Sequence, residues 1–151
     1  MIDPKFLNHE IYSIYSAAMR LVGPEKQKEI VNLSGKLLFS ELENELNLSK
    51  ISDPVDLVKK LIKYLEDVGY ITKGQVEQKS DNELLVHLHG ATCHDAVVKL
   101  KNEGAFPPHF LTTLIFAGLK KLFNINVELS HLDLGSKEPP YHTVEKWKLI
   151  R

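Results

Sequence analysis

Cysteine is almost missing from this 151-residue chain, where Cys93 stands alone. One thiol excludes an intramolecular disulfide framework and points to a reducing compartment, so a cytoplasmic protein is expected. Arginine is nearly as scarce: Arg20 and Arg151 stand against 17 lysines. Such a Lys-rich bias suits a heat-adapted organism or an AT-rich genome. A surplus of either charge is also lacking, with 19 Lys+Arg against 20 Asp+Glu and a net charge of −1. A domain that neutralises many phosphates is usually strongly basic, so no nucleic-acid partner is expected. No apolar run is long enough for a membrane. The longest, from Phe110 to Leu119, is about half of the roughly 20 residues that a spanning helix needs. The start, Met1-Ile2-Asp3-Pro4-Lys5, is polar and of mixed charge, unlike a secretory signal. Also absent are a Gly-rich phosphate loop, a Gly-x-Ser-x-Gly elbow, a Cys-x-x-Cys pair and a His-Glu-x-x-His helix.

What is present is an ordinary globular composition, 43% hydrophobic and 26% charged, of a length that fits one domain over residues 1–151. Residues 1–69 read as helical. Ile11, Ile14, Tyr15, Ala18, Leu21 and Val22 recur at spacings of three and four. Gly23-Pro24 then ends one helix and begins another, whose stripe is Ile30, Leu33, Leu37 and Leu38. A third helix has Asp53 as N-cap, Pro54 at its first position, an apolar series from Leu57 to Val68, and Gly69 as its stop.

After Gly69 the period changes. Tyr70 to Lys79 and Glu83 to His89 read as two strands around a Ser80-Asp81-Asn82 turn. In the second, Leu84, Val86 and Leu88 share one face, with Leu85, His87 and His89 on the other. Thr92 and Asp95 are spaced as a capping pair for a short helix from Cys93 toward Asn102. Pro107-Pro108 begins a longer helix with Leu111, Leu114, Ile115, Gly118, Leu119 and Leu122 as its buried stripe. Ile125 to Leu134 alternates as a strand, placing Ile125, Val127, Leu129 and His131 on one face, and Tyr141 to Ile150 alternates as the last strand. The predicted class is α+β, with a helical layer on one face of a four-stranded antiparallel sheet.

Six of the seven histidines and the cysteine fall between positions 87 and 142: His87, His89, Cys93, His94, His109, His131 and His142. Imidazole and thiolate are usual zinc ligands, and about four are wanted in a tetrahedral site. The spacings match no standard zinc finger. His109 and Cys93 are each placed in a helix first turn, which favours a neutral ring and a lowered thiol pKa. His131, on an apolar strand face, is expected to point inward. His87 and His89 read as solvent-facing strand residues, and Phe106, Phe110, Phe116, Phe123 and Trp147 as core.

The second half, from about residue 70 to 150, resembles the vinyl-4-reductase domain family. That family carries a Cys near the start of a Gly-containing helix, then Glu-x-x-Cys on a strand, then Gly, then a Cys before the final strand. Here the segment reads Pro107-Pro108-His109, Gly118, Glu128-Leu129-Ser130-His131, Gly135 and Tyr141-His142, with histidines where the family has cysteines. The resemblance implies a fold similar to the small subunits of TRAPP vesicle-tethering complexes and to haem-based nitric-oxide-binding sensor domains. It also implies an internal apolar pocket, dimerisation through helices, and a free-standing archaeal member.

The leading functional expectation is therefore a small-molecule-binding or sensor domain. An apolar, hydrocarbon-like ligand would lie among Phe110, Leu114, Phe116 and Trp147. Zinc would be held by Cys93, His109, His131 and His142, with His94 in reserve. The alternatives are a metal-assisted enzyme (a hydrolase or reductase accessory) using Asp95, Asp133 or Glu145, and a homodimeric interaction protein with a vestigial pocket. In the homodimer the N-terminal helix, with Tyr12 and Tyr15 near its stripe, would pair with its copy.

Overall fold

The computed structural model describes residues 3–107, 110–135 and 141–151. Among these residues, four α-helices, α1 (Pro4–Glu45), α2 (Pro54–Asp67), α3 (His94–Asn102) and α4 (Phe110–Phe123), accompany four strands. The strands are β1 (Lys73–Ser80), β2 (Glu83–His89), β3 (Asn126–Asp133) and β4 (His142–Ile150). All pairs are antiparallel, in the order β1-β2-β4-β3. The α+β arrangement expected from the sequence is the one observed.

The helix punctuation follows local chemistry. The Asp53 carboxylate accepts from the backbone N–H of Val55 and Asp56 at 2.9 and 3.0 Å, satisfying donors that the first turn of α2 leaves open. In α1, Gly23 has φ 81° and ψ 166°, outside helical space, and Pro24 follows it without an N–H to give. The helix is therefore kinked at the predicted Gly23-Pro24 junction. Residues before the kink (Ile11, Tyr15) pack with Cys93, Ala96, Val97 and Leu100 of α3. Residues after it (Phe39, Leu42) join the main core.

α1 packs against α3 and α4. Its second half approaches α4 closely because both helices place glycine at the contact. A Cβ on Gly35 would meet Thr113 at 2.7 Å, and one on Gly118 would meet the Phe39 ring at 2.4 Å. This corrects the predicted stripe of that half. Gln27, Val31, Gly35, Phe39 and Leu42 face inward, whereas Ile30, Leu33, Leu37 and Leu38 are exposed. In the first half likewise, Ile11 and Tyr15 are buried while Ile14, Leu21 and Val22 are exposed.

The inner sheet face carries Leu84, Val86 and Leu88 of β2 and Thr143, Glu145, Trp147 and Leu149 of β4. Together with α2 and α4 it forms the main core. The outer face carries Leu85, His87 and His89 beside His142, Val144 and Lys146. The β2 alternation matches the predicted one.

β3 does not. Val127 pairs with Leu149 and Leu129 with Trp147, but His131 pairs with Lys146, so the register shifts across Ser130. One extra residue in a strand exchanges the two faces for everything beyond it. His131, expected to point inward, is therefore on the outer face and exposed.

Candidate functional site

Several buried polar groups gather at one end of the sheet's inner face. Tyr70 follows the end of α2, and its hydroxyl lies 2.7 Å from Cys93 Sγ. Cys93 stands at the N-cap of α3 without a side-chain capping bond. The predicted Thr92–Asp95 capping pair does not form. Thr92 Oγ1 instead donates to the Tyr70 carbonyl at 2.9 Å, and the Asp95 carboxylate accepts from the Tyr141 hydroxyl at 2.7 Å. Next along the helix, His94 lays its ring on that of Tyr141, with centroids 3.9 Å apart and planes 14° from parallel. From β4, Glu145 accepts from Thr112 Oγ1 of α4 and, at 2.7 Å, from Trp147 Nε1.

One physical cause acts on Tyr70, Cys93, His94 and Glu145: burial disfavours their charged forms. Burial pushes the Tyr70 hydroxyl well up, and the neighbouring Cys93 adds to it. It raises the Cys93 thiol, outweighing the opposing bond from Tyr70. The thiolate expected at a helix first turn is thus corrected to a buried neutral thiol. Burial lowers His94 against the pull of Asp95. It raises Glu145 against the donors Trp147 and Thr112.

These groups line a small cavity, closed on its apolar side by Ile71, Leu88, Val97 and Leu111, with a volume of about 30 Å³. That is room for about one water molecule. A larger groove of about 570 Å³ lies on the other side of His94, between α3 (Asp95, Val98, Lys99, Asn102) and Leu134-Gly135. His94 and Leu134 line both spaces. The groove has the size of a small-molecule site, usually about 300–1,000 Å³.

The predicted ligand set is placed differently. Leu114 and Trp147 are fully buried in the main core, and Phe116 sets its ring edge-on to Trp147 at 5.0 Å, so side chains fill that space. Phe110 packs edge-on against Tyr15 at 5.7 Å, in the second cluster. Of the predicted zinc ligands, Cys93 is inside, while His131 and His142 lie on the outer sheet face. The structure therefore does not bring these three together, and His109 lies outside the described residues. Among the described residues no group of three His, Cys, Asp or Glu side chains is placed to hold a metal ion. The three carboxylates considered for catalysis are also dispersed: Asp95 on Tyr141, Asp133 capping the Gly135 N–H at 2.8 Å, and Glu145 in the core.

Sequence reasoning missed Tyr70, Thr112, Tyr141 and Val98. The signal it could have used was the polar residues at inward positions, Thr112 beside Thr113 on the helix and Glu145 after Thr143 on the last strand.

No family model and no curated protein matches the chain. Among solved structures it is similar to an H-NOX protein from K. algicida, a mutant solved in its Fe(II) unliganded form. The TM-score is 0.51 at 16% identity, and the match covers 81% of this chain and 63% of that one. The likeness is one of fold, and this chain spans less than two thirds of that protein. A haem does not fit the interior beside His94 as it is packed, since the cavity there is about 30 Å³ and a site of that kind needs roughly 300 Å³ or more. Among the described residues, no helix is long and apolar enough to cross a membrane.

Proposed function

We propose that this chain is a small-molecule-binding domain of the sensor type, and that its ligand is a small, largely apolar molecule seated in the groove between α3 and Leu134-Gly135. The observation that carries this reading is His94, a neutral buried imidazole that forms the wall between a ligand-sized groove and a cavity lined by polar groups. Apolar walls with a few convergent polar groups of shifted pKa are the usual make-up of a binding site. Val98 and Leu134 supply apolar wall, and Asp95, Lys99 and Asn102 line the same groove with charged and hydrogen-bonding groups. A fold shared with an H-NOX protein supports a ligand-binding role by analogy alone. The vinyl-4-reductase resemblance of residues 70–150 supports the same class of activity.

The test uses isotope-labelled full-length protein titrated with indole and with 1-octanol. Amide shifts concentrated at Asp95–Asn102, Leu134 and Tyr141, and lost in Val98→Trp, are expected. Shifts that are absent, or spread evenly over the molecule, would overturn the reading.

A second observation favours self-association. Leu33 and Leu37 are 55% and 60% exposed on the second half of α1, with Ile30 one turn before them, and Leu21 is 83% exposed on the first half beside exposed Ile14. Contiguous apolar patches of this kind usually mark interaction sites. We assign this face of α1 to a second copy of the chain. Tyr15 is buried in the protein's own core and Tyr12 bonds to Glu103, so the pairing expected of the N-terminal helix would use its exposed aliphatic side chains.

A further inference from the structure

We propose that His87 and His142 form a cross-strand clip for one divalent transition-metal ion on the outer face of the sheet. The clip is separate from the groove, so its failure leaves the ligand-binding reading untouched. The two residues are diagonal neighbours, since His87 pairs with Val144 and His89 with His142. Their rings bring His87 Nδ1 to 3.2 Å from His142 Nε2. At that distance one ring donates an N–H to the other. Two imidazole nitrogens on a tetrahedral zinc ion lie about 3.3 Å apart, so an ion that displaces this proton needs only a small turn of the rings to be held by both.

The surroundings fix the rings in that pose. On the far side of His87, Nε2 faces the Glu77 carboxylate of β1 at 3.3 Å, without the alignment of a formed hydrogen bond. A carboxylate there favours the proton on His87 Nε2 and leaves Nδ1 to accept from His142 Nε2–H. An ion entering the clip takes the place of that proton, which moves to His142 Nδ1 or to solvent. Carboxylate–histidine–metal sites have this second-layer pattern. His89 lies flat on His142 at 4.1 Å, with planes 9° apart, and acts as a positioning residue that restricts its rotation.

An ion can reach the site, because the His87 and Glu77 side chains keep 20% and 50% of their exposure. The clip supplies two protein nitrogens and leaves the other coordination positions to water or to an incoming donor. Two-imidazole donation suits Cu²⁺, Ni²⁺ and Zn²⁺, with copper strongest.

The test is calorimetric titration of the tag-free full chain with Zn²⁺ and with Ni²⁺ near neutral pH. One ion per chain is expected. His87→Ala and His142→Ala should each weaken binding about tenfold or more, Glu77→Gln about tenfold, and His131→Ala, on the same face, not at all. Cu²⁺ added to the unsubstituted protein should broaden the imidazole signals of His87 and His142 first, a readout that needs no variant to fold. Absence of saturable binding, affinity unchanged in both histidine variants, or equal loss in His131→Ala would overturn the clip.

Discussion

Gln27 and Phe106 grip each other at two points. Gln27 Nε2 donates to the Phe106 carbonyl at 2.6 Å, and the Phe106 N–H donates to Gln27 Oε1 at 2.8 Å. A fully buried amide side chain thus satisfies both backbone groups of one residue in the segment between α3 and α4. Gln27→Ala removes both partners at once. A buried polar group left unpaired costs about 1–3 kcal/mol, so a loss of about 2–4 kcal/mol is expected in urea unfolding. A loss below about 0.5 kcal/mol would mean that water replaces the amide.

The α1–α4 contact gives a second prediction. Gly118→Ala would place a methyl group 2.4 Å from the Phe39 ring, too close unless the ring or the helices shift. Overpacking of this kind costs about 1–3 kcal/mol. Phe39→Leu in the same chain should recover part of that loss, and a double-mutant cycle measures the recovery. Strict additivity of the two changes would show that the helices separate elsewhere.

Glu145 makes stability depend on pH. Burial raises its carboxyl pKa in the folded state above the ordinary value, so the folded protein holds that proton more tightly than the unfolded chain. The native state binds more protons in the window above the unfolded pKa, about 4.3, and this group's contribution therefore falls as pH rises through it. Glu145→Gln abolishes the titration while keeping an oxygen for Trp147 Nε1. The stability difference, variant minus parent, should move in favour of the variant between about pH 4 and neutrality. A flat difference in denaturation experiments across that range would refute the assignment.

The uncovered face of α1 predicts a dimer. Light scattering should report twice the chain mass at micromolar concentration, and the double change Leu33→Glu with Leu37→Glu should yield monomers of unchanged helicity. Both side chains are exposed, so their replacement does not disturb the protomer core. A parent protein that is already monomeric would remove the self-association reading.

Much of the scaffold was legible because its signals are local. Asp53-Pro54 reads as a helix start since the cap and the missing N–H act within one turn. Glu83–His89 alternates cleanly, and the observed faces are those it predicts. What stayed hidden is non-local. Residues 27–42 offer two apolar stripes, and the inward one was selected by Gly35 meeting Thr113 and Phe39 meeting Gly118, contacts that no single stripe reveals. The shift at Ser130 leaves no compositional trace, yet it reverses the orientation of His131 and with it the predicted metal set. The N-terminal position of Cys93 on α3 suggested an activated thiol, but burial against α1 and α3 outweighed the Tyr70 hydrogen bond that favours the thiolate. The groove beside Val98 combines residues some 35 positions apart, beyond the reach of periodicity.

The break at Gly23-Pro24 also sets the dimensions of the molecule. An unbroken helix of 42 residues would run about 63 Å, against a breadth of roughly 40 Å for a folded chain of this length. A rigid rod would overhang its own domain by several turns. Bent at the glycine, the same segment becomes two shorter arms that both lie along the domain, so any change that straightens the elbow must lift one of them from its support.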